Sequence, residues 1–396
     1  MSRLSRCQNI ADLRVLAKRR LPRGIFEYVD RGTEDEVALR NNRAAIERVK
    51  LKPRMLVDVS KRTTDTTLFG KPLAMPLAIA PTGSAGLVWY EGELELARAA
   101  ATAGVPFTLA TGSMTSIEKI AQEAGGRLWF QQYVWADPEL AFALIKRVEN
   151  AGFEALIVTV DNAVGANREY NRRNGFSQPY RITPRSMFDM MLHPEWLGGT
   201  LFRYLAASGM PRFQNHPPGM QGKITSDPTR RRAMRSDALC WDDIKRIRDR
   251  WPRTLMIKGL MCVEDAELAV AHGADAIVVS NHGGRNVDSV MASFDVLPEI
   301  AAAVGDQATI IVDSGVRRGS DIVKAVALGA KAVLVGRATL YGTAVAGEAG
   351  AAHSLALLRD ELDRTLALTG CRSIAEVTPS LLAHPTRARS RERMLA

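Results

Sequence analysis

The sequence predicts an α/β protein in which eight parallel strands, each followed by a helix, close into a (β/α)8 TIM barrel. Three observations carry this. Short apolar runs recur eight times between positions 77 and 336. Each run leads through a loop into a helical stretch, the alternation expected of parallel strands joined by crossover helices. The helix-to-strand joints are alike: Ala103-Gly104-Val105, Ala151-Gly152-Phe153, His272-Gly273-Ala274 and Leu328-Gly329-Ala330. Glycine at such joints suits the left-handed cap that ends a helix. In a barrel of this kind the chemistry sits at the carboxyl ends of the strands.

In chain order, residues 1–50 read as helical. Ile10 to Arg19 has apolar residues at helical spacing, and Leu21-Pro22 ends it; Gly24–Arg31 and Glu34–Val49 form two further helices. The expected barrel spans about 75–345, with strands at Leu77–Ala80, Pro106–Ala110, Leu128–Tyr133, Ala155–Asp161, Leu255–Gly259, Ala276–Ser280, Thr309–Asp313 and Ala332–Gly336. One segment breaks the rhythm. Between the fourth and fifth strands lies far more chain than one crossover needs. Residues 177–236 read as an insertion with Met- and aromatic-rich stretches and an arginine cluster, Arg230 to Arg235; between 179 and 235 it carries nine Lys or Arg against three Asp or Glu. A helix Leu355–Thr369 follows within the terminal segment 350–396, and the tail Thr386–Met394, with four arginines, is expected to be disordered. The whole of 1–396 reads as a single domain.

Apolar residues make up 46% and charged residues 24%, the balance of a soluble globular chain. Cys7, Cys240, Cys262 and Cys371 are scattered, without metal-ligand spacing, and read as reduced thiols of a cytoplasmic protein; no metal site is expected. Arg3, Arg6, Asp12 and Arg14 interrupt any signal-peptide core, and no run is long enough to span a membrane. The net charge of +10 is open to nucleic acid, an anionic membrane surface or anionic small substrates. No nucleic-acid motif accompanies it, so nucleic acid is set aside.

The strand ends carry polar residues that a buried core does not need. The third strand ends Gln131-Gln132-Tyr133, and the fourth Thr159-Val160-Asp161, with Arg168 in the following loop. The fifth ends Lys258-Gly259, the seventh Asp313-Ser314-Gly315-Val316-Arg317, and the eighth Gly336-Arg337. Gly315 and Gly336 beside Arg317 and Arg337, after the last two strands, form the usual phosphate cradle of a barrel. The sixth strand runs into Ser280-Asn281-His282-Gly283-Gly284-Arg285-Asn286-Val287-Asp288. Here a histidine able to move a proton precedes a tight turn and an arginine suited to a carboxylate.

This last string resembles the active-site signature of the FMN-dependent α-hydroxy acid dehydrogenases and oxidases, which have Gln-Leu-Asp where this chain has Asn286-Val287-Asp288. The segment Leu21–Tyr28 resembles the family's opening helix. The resemblance implies a flavin-binding barrel with FMN as cofactor. Its phosphate would lie on Gly315, Arg317, Gly336 and Arg337, and its ribityl chain on Asp313, with Ser314 alongside. Lys258 would stand beside flavin N1 and O2, Gln131 and Thr159 at the pyrimidine edge, and Pro81-Thr82-Gly83 along the ring face, with Ser280 also in the cofactor site. Ala110 stands where many relatives have a serine near N5, so a side-chain bond is lost there. The catalytic set implied is His282 as base, Asp161 orienting it, Tyr133 and Arg285. The substrate set is Tyr28, Tyr133, Arg168, His282 and Arg285. The implied reaction converts an (S)-2-hydroxy acid to the 2-oxo acid. Within the family the likeness is greatest to mandelate-oxidising members, with L-lactate dehydrogenation or an oxygen-using oxidase as alternatives. Where glycolate-oxidising relatives place a tryptophan, this chain has Gly112, which leaves room for an aromatic substrate. The resemblance further implies a homotetramer and, through the insertion, peripheral attachment to the inner face of the cytoplasmic membrane, with membrane quinone or oxygen as acceptor.

Overall fold

Eight short strands, all buried, form the centre of the computed structural model: β1 (Leu77–Ile79), β2 (Phe107–Ala110), β3 (Leu128–Tyr133), β4 (Ala155–Thr159), β5 (Thr254–Leu260), β6 (Ala276–Val279), β7 (Thr309–Val312) and β8 (Ala332–Val335). The structure describes residues 3–176, 180, 182–217, 221–225 and 237–383. Each strand coincides with one of the eight apolar runs. They pair in parallel in chain order, and β8 returns to β1 with Val333 opposite Leu77, closing the barrel.

Strand alternation divides the core in two. In β4, Ala155 and Ile157 point into the barrel with Ala78, Trp129, Met256 and Val278, whereas Leu156 and Val158 meet the surrounding helices. Both sets are apolar because both faces are covered. A short antiparallel hairpin, Thr66–Leu68 with Lys71–Leu73, was not foreseen from the sequence; its Leu68 and Leu73 join the inner core.

Three helices precede the barrel, Ile10–Arg20, Arg23–Asp30 and Val37–Arg48. The third begins later than Glu34, because Glu34 and Glu36 sit at φ 43 and 62, outside helical space. Asp288, from the loop after β6, caps it instead, accepting from Asp35 N at 3.0 Å and Ala38 N at 3.1 Å. The C-terminal helix starts not at Leu355 but at Arg337, directly after β8, and runs to Thr369 with a break at Ala346 and Gly347. The tail Thr386–Met394 and the cluster Arg230–Arg235 lie outside the described residues.

The insertion folds back over the carboxyl end of the barrel. It contains a helix Pro184–Met191, a turn Pro194–Trp196, a wide π-helical turn Leu197–Phe202 and a helix Arg203–Ala207. Its inner face is pinned by polar contacts to the loop after β1: Trp196 Nε1 donates to Leu87 O at 2.7 Å, and Tyr204 Oη accepts from Glu91 N at 3.0 Å. Its outer face is apolar and exposed, with Met187, Phe188, Met191, Leu192 and Phe202 each more than half accessible.

Candidate active site

His282 follows β6 and sits at φ 58, a left-handed conformation that a non-glycine residue adopts only where its surroundings enforce it. Its N–H donates to Ser280 Oγ at 3.1 Å, and its ring Nδ1 lies 2.9 Å from Asp161 Oδ1. Asp161 follows β4 and can approach this closely because β5 carries a bulge at Gly259, φ 112. A Cβ at Gly259 would lie 2.6 Å from Asp161 Cβ, so only glycine leaves the carboxylate its seat. The side chain of Asn286 holds the same residue from above, donating to Asp161 O at 2.7 Å.

The electrostatics favour a neutral imidazole over an ionised carboxylate. Burial lowers the pKa of His282; Asp161 opposes that, but Lys258 and Arg168 add to the lowering, and the net shift is downward. Burial raises the pKa of Asp161, but His282 and then Lys258 reverse this, and the net shift is downward. Lys258 itself is buried; burial lowers its pKa, but Asp313, 3.3 Å away, and Asp161 more than restore it. Its ammonium donates to Ser280 Oγ at 2.8 Å.

These groups face a cavity of about 850 Å³ at the carboxyl ends of the strands. Of the residues singled out from sequence, Tyr28, Pro81, Thr82, Gly83, Ala110, Gln131, Tyr133, Thr159, Arg168, Lys258, His282, Arg285, Asp313, Ser314, Gly315, Arg317, Gly336 and Arg337 line it. Asp161 and Ser280 do not; they stand behind His282 and Lys258. Gln131 Nε2 donates to Thr159 Oγ1 at 3.0 Å, and Ser314 Oγ donates to Asp313 Oδ1 at 2.7 Å while accepting from Gly283 N at 3.0 Å.

Five arginines line this cavity; Arg172 donates to Asn167 Oδ1 at 2.7 Å, whereas every hydrogen bond donated by the guanidinium groups of the other four ends, among the described residues, on a main-chain carbonyl. Arg168 donates to Arg285 O, Arg285 to Tyr28 O and Arg31 O, and Arg317 to Val316 O. Arg337 donates from each of its three nitrogens, to Val29 O, Gly283 O and Arg31 O, and so ties the second helix to the barrel. Among the described residues none of these four forms an ion pair with a carboxylate. Burial and then the charge of Arg285 push Arg168 and Arg337 each down to about 10. A half-buried cluster of arginines without ion-pair partners is a site built for anions.

The outer wall is aromatic and was not read from the sequence. Trp135, Phe176, Tyr180, Phe213 and His216 line it, with Phe176 packed 5.2 Å from Tyr28 and Phe213 stacked 5.0 Å from His216. Most come from the insertion, whose return over the barrel depends on long-range packing that local sequence pattern does not carry.

Comparison with known proteins agrees with this geometry. Residues 17–384 match the family model described as FMN-dependent dehydrogenase. The chain is 40% identical over 374 residues to (S)-mandelate dehydrogenase of Pseudomonas putida, covering 94% of this chain and 93% of that one. It is 42% identical over 387 residues to an L-lactate oxidase of a Nostoc species, covering 96% and 100%. A crystal structure of (S)-mandelate dehydrogenase, described as a monotopic membrane protein, superposes with a TM-score of 0.91 at 39% identity, covering 96% of this chain and 100% of that one. The chain therefore belongs to the FMN-dependent dehydrogenases, an enzyme family of (β/α)8 barrels, and FMN is its cofactor.

Proposed function

We propose that the protein oxidises an (S)-2-hydroxy acid with an aromatic side chain, (S)-mandelate or a close relative, to the 2-oxo acid. The observation that carries this reading is His282, backed by Asp161, facing a cavity whose lining arginines form no ion pair among the described residues. The residues present fit FMN. Arg317 and Arg337, with the loops at Gly315 and Gly336, offer a dianion its positive surroundings; Lys258 offers a buried ammonium, and Gln131, Thr159 and Asp313 offer hydrogen-bond groups. Bound FMN supplies the two-electron acceptor for the substrate carbon.

The substrate carboxylate suits Arg168 and Arg285, which lie together: burial, and then the charge of Arg285, lowers the pKa of Arg168. Tyr28, 5.1 Å beneath the Arg285 guanidinium, and Tyr133 complete that end. His282 takes up a proton from the CH–OH group through Nε2, the nitrogen left free by the Nδ1–Asp161 contact. Asp161 fixes the ring and stabilises the imidazolium that forms. Ala110, lacking a hydroxyl, leaves only its main chain to the cofactor.

Pocket size supports the aromatic substrate. Gly83 and Gly112 face one another: a Cβ on Gly112 would meet nothing nearer than Gly83 Cα at 3.9 Å. Fitting a phenyl group there is worth roughly ten- to a hundredfold in kcat/KM. The L-lactate oxidase likeness supports a second reading, with lactate as substrate and oxygen as acceptor. Comparing (S)-mandelate with L-lactate in the wild type and in Gly112→Trp separates the two. Mandelate should win in the wild type and lose most of its advantage once the indole fills the space; a wild-type preference for lactate ends the aromatic reading.

The exposed apolar face of the insertion supports peripheral attachment to an anionic membrane surface, as does the monotopic character of the structural relative. No helix among the described residues is long and apolar enough to cross a membrane. On this reading the electrons leave to a membrane quinone.

A further inference from the structure

The helix Val37–Arg48 stands outside the barrel, yet it grips the loop that carries the base. Its Asn42, 1% exposed, forms a reciprocal amide pair with Asn281: Asn42 Nδ2 donates to Asn281 Oδ1 at 2.9 Å, and Asn281 Nδ2 donates to Asn42 Oδ1 at 2.7 Å. Asn281 Oδ1 also accepts from Gly284 N at 3.2 Å, and its Nδ2 donates to Met291 O at 3.0 Å. The amide thus makes four bonds, and it immediately precedes His282. Next come three consecutive left-handed residues, His282, Gly283 and Gly284, at φ 58, 68 and 69. Such a run persists only where its ends are held. Asn42 holds one end, and Asp288 fastens the other to the start of the same helix.

We infer that Asn42 is a positioning residue for His282, an assignment that rests on reading His282 as the base. Asn42 does not line the cavity; its main-chain carbonyl packs near Gly315, but its side chain, the part the test removes, bonds to Asn281. Without its amide, two buried polar atoms of Asn281 lose partners and the left-handed run is free to relax, carrying the imidazole away from Asp161 and from the substrate. The carboxylate clamp keeps its own anchors, because Arg285 is bonded to Tyr28 O and Arg31 O. The loss should therefore fall on the rate at saturating substrate and not on substrate affinity.

The test is anaerobic rapid mixing of FMN-loaded Asn42→Ala with (S)-mandelate, following the visible flavin absorbance. The limiting reduction rate should fall roughly ten- to a hundredfold, the effect of displacing a reacting group by a fraction of an ångström to one ångström, with half-saturation nearly unchanged. A limiting rate within about twofold of wild type overturns the assignment, however far the melting temperature drops, because a purely structural residue would behave that way. If Asn42→Ala does not retain FMN, Asn42→Asp is judged by the same rule; failure of both to hold FMN also overturns it, since the role is then structural. His282→Ala, run alongside, separates the two levels. Wild-type reduction by His282→Ala sinks the base assignment itself, whereas a slow His282→Ala with a normal Asn42→Ala sinks only the positioning role.

Discussion

His282 accepts a proton only while its ring is neutral, so the direction of its pKa shift has a kinetic consequence. Burial lowers it, Asp161 opposes, Lys258 and Arg168 reinforce, and the net value lies below the ordinary 6.5. The acid limb of kcat/KM should therefore have its midpoint below that value, with a plateau above it. A pH profile with its midpoint above 6.5 would mean that the carboxylate dominates the ring. The sign for stability follows: the unfolded chain protonates this histidine more readily than the folded one, so the group costs stability as pH falls below its unfolded value. Replacing the base, His282→Ala, should leave FMN bound and slow flavin reduction by about 10²- to 10⁴-fold, the contribution of a positioned base. Reduction at the wild-type rate would remove His282 from the mechanism.

Among the elements, the insertion is held in part by a buried cation. Arg20, at the end of the first helix and 8% exposed, donates to Val88 O at 2.9 Å and Thr200 Oγ1 at 3.2 Å, and lies 4.2 Å over the Trp89 ring. Burial pushes it down to about 10, with only Glu195 opposing. Arg20→Ala leaves a carbonyl and a hydroxyl without this partner and removes a cation–π contact, a loss of about 2–4 kcal/mol. Thermal unfolding should record a clear drop in melting temperature, and an unchanged value would show that the insertion is held elsewhere. None of this was legible in the sequence. The strands were, because their two buried faces produce unbroken apolar runs, and so was His282-Gly283-Gly284-Arg285, because its residues are contiguous. Arg20, Asn42 and Phe213 were not, because their partners lie far away in sequence. The start of the last helix was missed for another reason. Glycine is a poor helix former, yet a Cβ on Gly342 would lie 2.1 Å from Gly350 O, so Gly342 and Gly350 serve close packing between the two halves of a bent helix.

At the scale of the whole molecule, the insertion has two faces with two duties. Tyr180, Phe213, His216 and Ile224 line the cavity, while Met187, Phe188, Met191 and Leu192 point to solvent at 51%, 60%, 60% and 62% exposure. Their spacing along and just beyond the helix Pro184–Met191 gathers them into one stripe. Removing the whole segment would strip walls from the active site as well as the outer face, so it could not separate attachment from catalysis. Changing the four outward side chains to serine can. Each is about half exposed, so its transfer into an interface is worth about 1 kcal/mol, and the four together about 4 kcal/mol, or roughly a thousandfold in vesicle partitioning. The net charge of +10 adds attraction to anionic lipid that salt weakens. The quadruple variant should therefore leave anionic vesicles in co-sedimentation while its turnover of a soluble 2-hydroxy acid stays near wild type. Vesicle binding that survives the four changes, or wild-type protein that never binds, would move the apolar stripe from membrane attachment to some other contact.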